Sequence, residues 1–133
     1  MSFDERGCGR LLAADEALPD LGAFGGGFLW LHFDLKVAEL GPLIDAGHVG
    51  PRLLAEAVFR PDEHQRVTVA DGHVGGVVAD LARPGAKPDA SGRLHFVMGP
   101  RALVSGRRGP TESPDATRAT VEKGQSIPSP VLL

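Results

Sequence analysis

The chain has 133 residues, 42% of them hydrophobic and 23% charged, with a net charge of −3 and a pI near 5.9. It is long enough for one domain with its own core, and too acidic and too poor in aromatics for a nucleic-acid platform. Its single cysteine, Cys8, excludes a disulfide framework and a cysteine-rich zinc site.

Asp4, Glu5 and Arg6 have no apolar stretch behind them, so the start is not a secretory signal. No run approaches the roughly 20 apolar residues that span a bilayer. The sequence as it stands reads as soluble and cytoplasmic.

Residues 1–10, polar and glycine-rich, are expected to be a flexible terminus. Residues 11–128 read as one α/β domain. Leu11–Ala14 suits a short strand, and Gly22–Gly27 a loose connector. Phe28-Leu-Trp-Leu-His-Phe33 is the clearest strand. Phe28, Trp30 and His32 share one face and Leu29, Leu31 and Phe33 the other, so both faces should be covered and Trp30 buried.

Asp34 is placed to cap a helix carrying Val37, Leu40, Leu43 and Ile44, which Pro42 shortens or kinks and Gly47 ends. A second helix starts at Pro51, with Leu53, Leu54, Ala57 and Val58 as its apolar stripe, and stops at Arg60 before Pro61. Arg66–Ala70 and His73–Ala82 read as strands joined by Asp71-Gly72, a strong hairpin signal. Gly75-Gly76 marks a bulge or a close backbone approach. Arg93–Met98 and Ala102–Ser105 make a second hairpin. A last helix runs from Ser113 to Lys123, stopped by Gly124. Ser129-Pro130 opens another helix, and 129–133 read as its truncated start. The fold class is therefore α/β (α+β), a mixed, largely antiparallel sheet with helices packed on it.

Five histidines stand at 32, 48, 64, 73 and 95, none in a His-x-x-x-His or metalloprotease pattern. The densest metal-ligating cluster is Asp62, Glu63 and His64, with Asp71 and His73 close in sequence. Imidazole with carboxylate suits zinc, and carboxylates alone suit magnesium. The competing reading of this stretch is a solvated acidic loop ahead of a strand. His32 and His95 alternate with apolar neighbours and read as packed or hydrogen-bonded rings. No nucleophile elbow is present, and the glycines at 22 and 25–27 precede a strand, whereas a dinucleotide loop follows one. Arg101, Arg107 and Arg108 make a small basic edge, of the kind used at a domain or subunit contact.

The order of elements resembles the cytoplasmic N-terminal domain of the CorA/ZntB family of divalent-cation transporters. The matching words are Gly27-Phe-Leu-Trp-Leu-His-Phe-Asp34, Leu53-Leu-Ala-Glu-Ala-Val58 and Gln65-Arg-Val67 leading into Asp71-Gly72. Arg93-Leu-His-Phe-Val-Met-Gly99, Leu103-Val-Ser-Gly-Arg-Arg108 and Ser129-Pro130 complete the set. Two features depart from the family. Arg60-Pro-Asp-Glu-His-Gln-Arg66 keeps only the last residue of an Arg-Pro-Arg pattern, and the Gly-Met-Asn pore signature is absent.

The resemblance implies a regulatory and scaffolding domain rather than an enzyme, with no cofactor required. It implies a homo-pentamer, a membrane attached through a C-terminal part outside this sequence, the cytoplasmic face of the inner membrane, and zinc or magnesium as the ion. The alternatives are a free-standing α/β interaction module and a small α/β enzyme.

Overall fold

The chain is seen in a computed structural model that describes residues 1–13, 27–36, 39–61, 64–80, 92–108 and 113–126. Its strands are β1 (Ser2–Phe3), β2 (Gly9–Arg10), β3 (Phe28–Asp34), β4 (Arg66–Ala70), β5 (His73–Asp80), β6 (Gly92–Met98) and β7 (Ala102–Arg108). Its helices are α1 (Gly41–Asp45), α2 (Arg52–Phe59) and α3 (Ser113–Glu122). The strands form one seven-stranded sheet in the order β2-β1-β3-β7-β6-β5-β4. Among the described strands only β3 and β7 run parallel; the other pairs are antiparallel.

Strand β3 is interior, as its two apolar faces require, and Trp30 is 6% exposed. Leu29 and Leu31 join the larger core, where Val97 and Val104 of the sheet meet Leu54, Ala55, Val58 and Phe59 of α2. Phe28 and Trp30 face the other way, into a smaller cluster with Phe3 and Val121 of α3.

The N-terminus departs from the expectation of a flexible end. Ser2 and Phe3 pair with Leu29 and Phe28, and the Phe3 ring stacks on Phe28 at 4.2 Å and 9°. The Met1 amine donates to Trp30 O at 2.6 Å, and Trp30 N donates to Met1 O at 2.8 Å. A two-residue strand leaves no period to read in sequence. Its partner lies about 26 residues away in the chain.

The helices differ in detail from their sequence signals. Asp34 closes β3 and takes the Lys36 backbone N–H on its carboxylate at 3.0 Å, so it makes a turn instead of a helix cap. Helix α1 starts at Gly41, which puts Pro42 in the first turn, where its missing N–H costs nothing. In α2 the buried residues are Leu54, Ala55, Val58 and Phe59, while Leu53 is 81% exposed. The stripe is thus one residue further round than Leu53, Leu54, Ala57 and Val58 suggested. Arg60 is extended (φ −65, ψ 158), as the residue before a proline prefers.

Asp71 and Gly72 both have positive φ, 49 and 73, as an I′ hairpin requires. The β5 ladder is continuous through Gly75 and Gly76, so these glycines mark a close approach and not a bulge. A Cβ on Gly75 would stand 2.9 Å from Leu54 and Val58, which is why α2 can lie directly on the sheet here. Strand β7 runs on to Arg108, beyond the apolar stretch, because Asp34 and Arg93 supply ladder partners to its polar end.

One apolar region has little cover among the described residues. On the face shared with Trp30, the edge strand β4 presents Val67 and Val69, 60% and 71% exposed. The register continues this face through Val74 opposite Val69, then Met98 opposite Val74. Val74, Phe96 and Met98 are half-buried there.

Candidate functional site

The sequence nominates Asp62, Glu63, His64, Asp71 and His73 as metal ligands. Asp62 and Glu63 lie outside the described residues. His64 is exposed at the start of β4, where its carbonyl accepts Arg66 Nη1 at 3.0 Å. Asp71 and His73 sit at the other end of β4, in the hairpin turn and the first position of β5. Four steps of extended chain along β4 put its two ends ~13 Å apart. The hairpin brings Asp71 and His73 together and holds His64 away from both. Among the described residues, no group of three or more His, Cys, Asp or Glu side chains converges closely enough to hold a metal.

His73 is nonetheless well placed for binding. Its Nδ1 donates to the Asp71 backbone carbonyl at 2.9 Å, and the ring leans on Gly50 and Gly99. It lines a pocket with His48 and Arg101 at the end of the sheet.

A second polar constellation lies inside the fold, at the β3–β7 junction. Trp30 Nε1 donates to Ser105 Oγ at 3.0 Å, and His32 Nδ1 meets the same oxygen at 2.8 Å. Ser105 can accept the indole N–H and donate its own proton to His32 Nδ1, which satisfies three groups at once and leaves the proton of a neutral His32 on Nε2. That Nε2 is buried without a hydrogen-bond partner among the described residues.

The ring borders a cleft of about 290 Å³ with Asp34, Arg107, Asp115 and Arg118. Arg107 pairs with Asp115 at 3.7 Å and so ties α3 to the sheet. Burial, and then Arg107, hold the His32 imidazole below its ordinary range, against lesser pulls from Asp115 and Asp34. The serine–histidine contact looks like a nucleophile and base. Ser105 is 2% exposed and already takes the indole N–H, so a substrate carbon cannot reach it.

His95 serves the core. Its Nδ1 donates to Val58 O at 2.7 Å and its ring lies against Phe59, which fastens α2 to β6. The sequence signal for both rings was their alternation with apolar residues; nothing in it announced that Ser105 would join His32 and Trp30.

No protein-family profile and no curated protein sequence matches the chain at a significant level. Solved structures do. The full-length CmaX protein superposes with a TM-score of 0.75 at 19% identity, over 98% of this chain and 40% of that one. The ZntB cytoplasmic domain from Vibrio parahaemolyticus RIMD 2210633 superposes with a TM-score of 0.61 at 16% identity, over 75% of this chain and 41% of that one. The chain has the CorA/ZntB cytoplasmic-domain fold. It spans about two fifths of the length of each of these proteins. No helix among the described residues is long and apolar enough to cross a membrane.

Proposed function

We propose that this chain is the regulatory and scaffolding domain of a CorA/ZntB-like divalent-cation transporter, working at the cytoplasmic face of the membrane. The observation that carries this reading is the superposition on full-length CmaX over 98% of the chain. The open apolar face around Val67 and Val69 supports it, because monomeric domains rarely leave such surface uncovered and assembled ones bury it. The domain does no chemistry. It assembles with copies of itself and couples the intracellular level of zinc or magnesium to a pore carried elsewhere in the protein.

The ion-sensing groups are Asp62, Glu63 and His64, with Asp71 or His73 of a neighbouring copy able to add to them. The reading puts the ion between subunits, where its binding free energy favours one arrangement over another. The test is the reading frame downstream of codon 133. Two apolar spans separated by a Gly-Met-Asn loop are the expected result. A stop codon directly after Leu133 overturns the transporter and leaves a free-standing interaction module.

A further inference from the structure

Among the described strands β4 (Arg66–Ala70) is the outermost of the sheet, with β5 on one side and no described strand on the other. The I′ turn at Asp71-Gly72 fixes which of its backbone groups are left over. In a two-residue hairpin the residues flanking the turn exchange both hydrogen bonds, so Ala70 pairs with His73 in this way. The alternation of the ladder then gives Thr68 with Gly75, and Arg66 with Val77, the same pair of bonds. Val67 and Val69 fall between, and their N–H and C=O groups point away from β5, toward the open edge. Two donors and two acceptors are thus lined up along one side of the strand.

Sheet edges of this kind are usually blunted by a lysine, a proline or a bulge. Strand β4 has none of these. Its middle residues are Val67, Thr68 and Val69, all exposed, and its register with β5 is unbroken from Arg66 to Ala70. Val-Thr-Val is symmetric about Thr68, so the edge complements itself. An antiparallel second copy with Thr68 on the two-fold axis sets Val67 opposite the partner's Val69, and Val69 opposite the partner's Val67. Each is a hydrogen-bonded pair, which makes four backbone bonds, and each sets two β-branched side chains side by side. Charge fits the same register. The Arg66 end of each strand lies beside the Asp71 turn of the other, while the two Arg66 residues stand about 14 Å apart, four steps of extended chain. Arg66 keeps its bonds to His64 O and Ala57 O and contributes only its field.

We propose that two copies of this chain pair through β4, antiparallel about Thr68, into one continuous sheet. With four backbone bonds and two valines a side, the contact is at the small end for a specific interface, and the dimer is a weak one. It uses one patch twice, and so differs from the head-to-tail contacts of a ring. It occupies the strand edge and leaves the apolar face of the sheet open. The contact therefore goes beyond the transporter reading and does not depend on it.

The test is amide exchange of the chain, read by NMR over a hundredfold range of protein concentration. The Val67 and Val69 amides are expected to slow at least fivefold at the high end, while the Thr68 amide, already bonded to β5, changes less. Register is read by crosslinking in a Cys8→Ser background, which removes the exposed native thiol. Thr68→Cys is expected to give a disulfide-linked dimer at least tenfold faster than Val67→Cys, because residues directly opposite in a non-hydrogen-bonded pair have Cα atoms about 4.5 Å apart. Val69→Lys is expected to weaken association at least tenfold with its unfolding midpoint unchanged. Val67 and Val69 amides indifferent to concentration overturn the contact, and so does crosslinking through Val67→Cys as fast as through Thr68→Cys. The reading frame downstream of codon 133 bears on the transporter alone, so the two readings fail separately.

Discussion

Trp30 and Ser105 are hydrogen-bonded across the one parallel junction of the sheet, indole Nε1 to Oγ at 3.0 Å, with both residues buried. The bond belongs to neither strand's ladder. It links β3 to β7 through side chains on the face that α3 and the N-terminal strand cover. Ser105→Ala leaves a buried indole N–H without an acceptor, which costs about 1–3 kcal/mol. Trp30→Ala removes the ring itself and should cost about 3–5 kcal/mol. Urea denaturation followed by circular dichroism measures both, and a Ser105→Ala loss below ~0.5 kcal/mol would show that the bond contributes nothing.

His32 gives the domain a pH dependence with a definite sign. Burial and Arg107 lower its pKa from the ordinary value of 6.5, so the folded chain binds this proton less readily than the unfolded chain. The contribution of the neutral ring is fully present above pH 6.5. It is lost progressively as the pH falls from there through the lowered folded value. His32→Gln should flatten this part of the stability profile between pH 7.5 and 5. An NMR titration placing the folded His32 at or above 6.5 would contradict the assignment.

Gly75 is there for contact with α2. Gly75→Val pushes a branched side chain against Leu54 and Val58, which already stand 2.9 Å from the position of a Cβ. The expected loss is about 1–3 kcal/mol, and helix α2 should show it first as faster amide exchange at Val58 and Phe59. Unchanged exchange in α2 would mean that the helix does not rest on the glycine.

How much of this was readable from sequence depends on the range of the interaction. Phe28–Phe33 declares its two faces through strict alternation, and Asp71-Gly72 declares its turn, because both signals are local. Pro61 stops α2 for a local reason too. The N-terminal strand pairs two residues with a distant partner and leaves no pattern. Leu53 shows the limit of spacing arguments: it fits an apolar stripe, yet α2 is rotated so that Ala55 and Phe59 face the sheet. The candidate site was legible only in part: Asp62 and Glu63 lie outside the described residues, and β4 sets His64 at one end of a strand and His73 at the other. His73 instead joins Gly50, Gly99 and Arg101, which no local pattern connects to it.

Val67 and Val69 separate assembly from folding. Replacing both with threonine keeps the branched β-carbon and removes apolar surface that is 60% and 71% exposed. The isolated domain should lose no more than ~0.5 kcal/mol per site. Self-association measured by sedimentation should weaken if this face is covered in the assembly. An unchanged association constant would move the contact elsewhere on the surface.

On the proposed reading zinc and magnesium bind the isolated domain weakly, because a site shared between subunits would lack part of its ligand set in one chain. Calorimetry on the wild type and on Asp62→Ala with His64→Ala reads this directly. Heats that persist unchanged in the double variant would remove the Asp62–His64 cluster as the sensor.

The most direct test of the transporter reading is divalent-cation flux by the product of the complete open reading frame in liposomes, with zinc or magnesium varied on the side this domain faces. The expected result is a flux of one of these ions that falls as its concentration on that side rises, with the fall abolished by Asp62→Ala and His64→Ala together. Absence of any divalent flux would contradict the account.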